Sequence, residues 1–326
     1  MSVKLFIGAV FFFLSICGKP PDKFPHTEIT NGIIRAKIFL PDSKDGYYRG
    51  SRFDWSGVIP ELEYMGHSYF GKWFEKYDPH ITDAIMGPVE EFAPVGFDEA
   101  KAGDNFLKIG VGMLVKQDEA KYFFSTPYQI VNAGTWKVKK KADHVAFIQQ
   151  LKSQEYAYEY KKTVELTKGK AEMVLSHTLK NTGQKNIETN VYDHNFFVMD
   201  NQLTGPDVTI SFLFKPTGDA GKTASFGNLQ DTQIRFQKEL VNNDHLQYKS
   251  IQGYSNSPKD YDIRIENHKT GAAVRITCDQ PLSNLAFWSA SKTVCPEPYI
   301  RVNIKSGETF KWKIFYQFYL CEILQS

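Results

Sequence analysis

The chain has 326 residues, 42% hydrophobic, 14% aromatic and 23% charged, which excludes a disordered or low-complexity protein. Its 39 Lys and Arg stand against 37 Asp and Glu, a formal charge of +2, so nothing supports a polyanionic partner and nucleic acid is set aside. Four cysteines are too few to hold a chain of this length, so its core must be packed from 25 Phe, 17 Tyr and 5 Trp together with the aliphatics.

Residues 1–17 (MSVKLFIGAVFFFLSIC) open with Lys4, run apolar from Leu5 to Ile16 and turn polar before Pro20-Pro21. The run is too short to cross a bilayer, which takes about 20 residues, and has the form of a secretory signal. Leu14-Ser15-Ile16-Cys17 resembles the lipobox of bacterial lipoproteins, although Ile16 stands where a small residue is usual; cleavage after Cys17, with Ser15 at −3, is the other processing route. Both routes imply export, to a periplasm or to a lipid anchor on a bacterial membrane, and the anchor is the only membrane contact expected. Cys278, Cys295 and Cys321 remain in the mature chain. Their odd number leaves at least one free thiol unless it pairs between molecules.

From residue 27 onward short alternating runs recur between turn signals. Residues 33–40 (IIRAKIFL) stop at Pro41-Asp42. Residues 98–106 read as a loop around Gly103, and Gly110-Val111-Gly112 is placed inside a strand pattern. The lysine run 137–141 reads as a solvated hairpin turn. Residues 164–166 and 171–179 flank Lys168-Gly169, and 261–266 and 272–277 flank Thr270-Gly271, each pair forming a hairpin. Residues 283–292, rich in Ser, read as a loop, and 310–320 (FKWKIFYQFYL) as a late strand. No apolar stripe of helical period exceeds two turns. These patterns predict an all-β chain in which residues 27–326 form a single large antiparallel β-sandwich.

Nucleophile-elbow, zinc-peptidase, P-loop and dinucleotide motifs are all missing, and the cysteines lack paired C-x-x-C spacing. Carboxylates, histidines and aromatics are left, the equipment of a carbohydrate site. Two segments concentrate them. Within 172–200, strand alternation puts Tyr192, His194 and Phe196 on one face and Val191, Asp193 and Asn195 on the other. An imidazole between aromatic rings can sit against the apolar face of a sugar and exchange protons near neutrality; a core histidine is the structural alternative. Within 285–312, Glu297 lies between Pro296 and Pro298, whose missing N–H groups argue against a central ladder strand, and Tyr299 and Arg301 follow on the same face. An edge strand with a solvated Glu is the alternative there.

Together the two segments resemble the galactose mutarotase-like family, or aldose 1-epimerases. Leu179-Lys180-Asn181-Thr182-Gly183 matches the family's hairpin, Asp193-His194-Asn195-Phe196-Phe197 its histidine strand, and Glu297-Pro298, Ser306-Gly307-Glu308 and Trp312 its C-terminal order, over roughly residues 30–322. The resemblance implies a β-supersandwich that interconverts α and β anomers. In it Glu297 takes the proton of the anomeric hydroxyl and His194 protonates the ring oxygen, with Glu297 ionised and His194 chargeable at neutral pH. No metal or organic cofactor is needed by that mechanism; some relatives carry calcium, but no Asp-rich loop here asks for it. The family's earlier H-G pair is missing. Lys108 stands where a cation or imidazole is expected, and Glu91 is placed to accept bonds from sugar hydroxyls. Arg52 and Trp55, in YRGSRFDW, supply a guanidinium and an indole, with an Arg–Asp brace of a hairpin as the alternative; Tyr192, Tyr299 and Arg301 complete the expected substrate contacts, and His80 is assigned to a surface loop. A small carbohydrate is the expected partner. A non-catalytic sugar-binding protein and an oligosaccharide lyase or hydrolase on the same fold are the competing functions.

Overall fold

A computed structural model describes residues 23–324, so the signal segment and Cys17 lie outside the described residues. The alternating runs become strands Ile34–Phe39, Ala157–Leu166, Glu172–Asn181, Asp262–Asn267, Ala272–Cys278 and Thr309–Leu320. Burial along Ala157–Leu166 alternates residue by residue, as a strand covered on one face requires. The chain is nearly all β, with antiparallel pairing throughout the two large sheets. One sheet has ten strands, with Thr309–Leu320 between Ala272–Cys278 and Glu172–Asn181 near its middle. The other has five, in the order His245–Tyr248, Asn284–Ala290, Thr293–Ile304, Ile187–Phe196 and Gly87–Phe92.

Aromatic residues fill the space between the sheets. Phe92 of the five-stranded sheet meets Tyr160 edge-on at 5.5 Å and Trp312 at 6.3 Å, both from the ten-stranded sheet. One continuous apolar cluster runs through both sheets. Two neighbouring crossovers carry the chain from one sheet to the other, 182–186 and 305–308, and Asn181 ties them. This fully buried side chain donates to the carbonyls of Lys185 (2.8 Å) and Ile304 (3.3 Å) and accepts from the Gly183 N–H (3.0 Å). Removing it strands three backbone groups. Asn181→Ala should therefore cost about 3 kcal/mol, read as a lower urea midpoint at unchanged slope.

Four local expectations are corrected. Residues 284–290 form a central strand, because Ser289 is satisfied internally by the Thr293 carbonyl (2.8 Å) and the turn falls at Ser291-Lys292. Residues 105–108 are strand, and the loop is confined to the residues before them. Of Gly110-Val111-Gly112, the first two lie in the tight turn after Asn105–Lys108, with φ of +80° at Gly110, and only Gly112 is in a strand, Gly112–Val115. Residues 137–140 of the lysine run belong to Thr135–Lys140, the edge strand of the ten-stranded sheet, where like charges discourage pairing with another chain, and only Lys141 enters the turn. Cys278, Cys295 and Cys321 are all free thiols, the first two buried.

Candidate active site

The site is built on an interrupted ladder. Strands Ile187–Phe196 and Thr293–Ile304 pair from Ile187–Ile304 to Tyr192–Tyr299, and the same register returns at the Phe197–Val294 bridge. Phe197 and Val294 exchange both backbone bonds, at 3.2 and 3.1 Å. By the alternation of an antiparallel ladder, Asn195 with Pro296 and Asp193 with Pro298 should do the same, but each proline lacks the N–H. Asn195 Nδ2 bonds the Pro296 carbonyl instead, at 2.9 Å. Thr293–Ile304 is thus a central strand, contrary to the expectation from Pro296 and Pro298, because both prolines direct their nitrogens into the gap. Ala286 pairs with Glu297 on the other side.

In that register His194 lies opposite Glu297 at a position without backbone bonds, where facing side chains approach most closely. His194 Nε2 stands 3.4 Å from Glu297 Oε1. The imidazole is oriented by rings. Phe196 stacks on it at 3.9 Å between centroids and 5° between planes, Trp73 stacks on Phe196 at 5.0 Å, and Phe53 and Trp288 present edges at 5.7 and 6.1 Å. Its Nδ1 has no hydrogen-bond partner among the described residues.

Such surroundings penalise charge. Burial, followed by the nearby Arg52 guanidinium, holds the His194 pKa well below the usual histidine value. Burial also pushes Glu297 up to about 8; Arg52 opposes this, while Glu91 and Asp83 add to it. The expected ionised Glu297 and chargeable His194 are therefore corrected for the resting protein, in which a carboxylic acid faces a neutral imidazole at pH 7. The pair still holds one proton, as an ion pair would, but without separated charge in an apolar cage.

Arg52 organises the next row. Its Nε donates to Glu91 Oε2 (2.6 Å), Nη1 to Asp83, and Nη2 to the Tyr192 hydroxyl (3.0 Å). Tyr192 donates in turn to Glu91 Oε2 (2.5 Å) and stacks on Tyr299 with centroids 4.3 Å apart. Burial would raise the Glu91 pKa, but Lys108 and Arg52 outweigh it and hold it at about 2. Lys108 Nζ, fully buried, reaches Glu91 Oε1 (3.1 Å) and the Tyr122 hydroxyl (2.8 Å).

A cleft of about 390 Å³ opens over these residues. Arg52, Tyr192, His194, Glu297 and Tyr299 line it, while Glu91 and Lys108 stand behind Arg52 and brace it. Two expected contacts fall elsewhere. Trp55 is buried with its indole N–H on the Gly50 carbonyl (2.9 Å) and lies beside the exposed His80 at a separate depression. Arg301 is exposed opposite Asn190, outside the cleft. The Arg–Asp pair involves Asp83, not the adjacent Asp54. Trp73, Asp83, Phe124, Tyr248 and Trp288 line the cleft without having been singled out. Only Trp288 left a sequence signal, since the Ser291-Lys292 turn brings it opposite Cys295, two residues from Glu297.

The opposite face of the same strands carries a buried ionic cluster. Glu90 accepts from Lys162 Nζ and contacts His177 Nε2 at 2.5 Å, and Asp193 accepts from the Tyr316 hydroxyl at 2.6 Å. Burial, then the Glu90 carboxylate, hold the Asp193 pKa well above the ordinary range, which favours its neutral form. Among the described residues no group of three or more His, Cys, Asp or Glu side chains is placed to hold a metal ion.

No family model and no curated protein matches the chain. Solved structures do. A galactose mutarotase-like protein from Lactobacillus casei is 11% identical over 90% of this chain and 100% of its own, with a TM-score of 0.54. An aldose epimerase homologue from C. elegans is 12% identical over 90% and 98%, with a TM-score of 0.54. A galactose 1-epimerase from Lactobacillus acidophilus is 10% identical over 93% and 97%, with a TM-score of 0.51. The superposition spans nearly the full length of each chain, and both large sheets are antiparallel: the chain has the galactose mutarotase-like β-supersandwich fold.

Proposed function

We propose that the protein is an aldose 1-epimerase that interconverts the α and β anomers of a reducing sugar. The observation that carries this reading is the His194–Glu297 pair, 3.4 Å apart at the floor of an aromatic-walled cleft. The pair shares one proton. As one group takes the proton of the anomeric hydroxyl, the other gives one to the ring oxygen, and the C1–O5 bond breaks to leave an aldehyde. Rotation about C1–C2 and closure on the other carbonyl face return both protons. With Glu297 as base and His194 as acid, the resting proton moves from Glu297 to His194 when sugar hydroxyls replace apolar surroundings. Each transfer need supply only about 10²–10⁴-fold. Export, proposed from the apolar run that ends at Ile16, would place this activity outside the cytoplasm.

Two-dimensional exchange NMR or polarimetry on fresh α-D-glucose and α-D-galactose tests the assignment, with acceleration over buffer as the expected result. Binding without acceleration would favour a sugar-binding protein, and a new reducing end or an unsaturated product from an oligosaccharide would favour a hydrolase or lyase. The rate should fall as pH rises through about 8, where the pair loses its single proton, and its acid limb should lie well below pH 6.5.

A further inference from the structure

Most aromatic side chains that wall the cleft are buried or half-buried, among them Trp73, Tyr192, Phe196, Tyr248, Trp288 and Tyr299. Phe124 departs from this. It lines the cleft yet is 45% exposed, and its neighbour Phe123 is 62% exposed. The Phe124 ring is held in place, with the Arg52 guanidinium 4.1 Å from its centroid. A large apolar ring fixed at the mouth of a polar-floored cleft is a platform waiting for a face to cover it.

The polar groups beside it complete a sugar-binding arrangement. Asp83 is 41% exposed and spends one carboxylate oxygen on Arg52, which leaves Oδ2 without a partner among the described residues. Arg52 gives one N–H each to Glu91, Asp83 and Tyr192, so each terminal nitrogen keeps an N–H to donate. The Arg52 guanidinium backs one face of the Phe124 ring, which leaves the other face and the adjacent Asp83 oxygen for a pyranose: its C–H face covers the ring while a hydroxyl donates to the carboxylate. Between this platform and the acid–base pair stand Arg52 and then Tyr192, whose ring centroid is 6.0 Å from that of His194.

We infer that Phe124, Asp83 and Arg52 form a second sugar subsite, and that the substrate is the reducing end of a disaccharide or longer oligosaccharide. This rests on the proposed epimerase activity and adds a direction to it. Ring opening needs a free anomeric hydroxyl at His194 and Glu297, so the second sugar must be attached through another oxygen of the reacting ring. It then extends toward Phe124.

The test compares maltose, cellobiose, lactose and gentiobiose, all with glucose at the reducing end, against glucose itself. At least one disaccharide should exceed glucose by about tenfold in kcat/KM, and Phe124→Ala and Asp83→Asn should each collapse that ratio. No disaccharide preference in the wild type, or variants that lower both substrates equally and so preserve the ratio, would overturn the subsite. If the wild type epimerises none of these sugars, the epimerase reading fails by itself, and the subsite is then judged by binding, followed through the fluorescence of the cleft residues Trp73 and Trp288. Disaccharide binding that Phe124→Ala weakens more than glucose binding supports it. Equal binding of glucose and every disaccharide overturns it.

Discussion

Glu297→Gln is expected to abolish anomer exchange and, at the same time, to make the protein more stable. The activity loss follows from removing half of the proton-sharing pair, and should reach about 10²-fold or more in kcat while sugar binding is largely kept. The gain in stability follows from the other cost of the site. Burial first of all raises Glu297 from its ordinary value of 4.5 to about 8 in the folded protein. Below pH 4.5 the carboxyl is protonated in both folded and unfolded chains and contributes no difference. Between there and about 8 the unfolded chain ionises while the folded one does not, so wild-type stability declines by about 1.4 kcal/mol per pH unit. Gln does not ionise. The variant's advantage should therefore be near zero at pH 4, grow to about 3 kcal/mol at pH 7 and level off above pH 8. Urea unfolding across this range and exchange NMR on the same samples check both halves. Normal exchange rates would remove Glu297 from the mechanism, and a stability difference independent of pH would show that its carboxyl is not held neutral.

Lys162→Met should have the largest effect on folding. Lys162 is fully buried, reaches Glu90 and donates to the Ser56 carbonyl at 3.2 Å. Burial would raise the Glu90 pKa, but Lys162 and His177 outweigh it and hold it at about 2. Without the ammonium a buried carboxylate loses its main counter-charge, at a cost of about 3–5 kcal/mol. The sign with pH follows from the lowered Glu90 value. Its contribution is fully present above pH 4.5 and disappears as pH falls through about 2, so the variant's deficit should be greatest near neutrality and shrink in acid. Asp193→Asn is the informative companion. Burial and Glu90 raise the Asp193 pKa and so favour its neutral form, which an amide mimics, so this variant should be at least as stable as wild type at pH 7. A large loss in Asp193→Asn would mean that Asp193 is charged and that the proton lies elsewhere in the cluster.

His194 and Glu297 stood out as candidates because the signals that mark them are local. Strand alternation alone puts Tyr192, His194 and Phe196 on one face, and Glu297 between prolines is conspicuous in any sequence. What the prolines meant was not legible. A proline argues against a central strand only if its nitrogen faces a partner that needs a donor, and Pro296 and Pro298 face the one stretch of ladder that is open. Protonation was misjudged for a related reason, since the rings that desolvate His194 include Trp73 and Phe53, which are remote in sequence. Trp73, Asp83 and Phe124 come from irregular segments with no period to follow, and only tertiary packing brings them to the cleft. Trp55 shows the reverse case: an indole next to Arg52 in sequence whose N–H is taken by its own loop and whose ring is spent on the core.

The gap in the ladder also has a mechanical consequence. Elsewhere in the five-stranded sheet, moving two strands apart would break a row of backbone bonds together. Between Asp193–Pro298 and Asn195–Pro296 that row is incomplete, and a side chain, the Asn195 amide, spans it in place of backbone bonds. This seam is where the fewest backbone bonds join the two strands. Under the proposed function, a sugar bound over it would part His194 and Glu297 from their 3.4 Å contact at the line where fewest backbone bonds oppose it. The sheet would yield there first and close again as the product leaves.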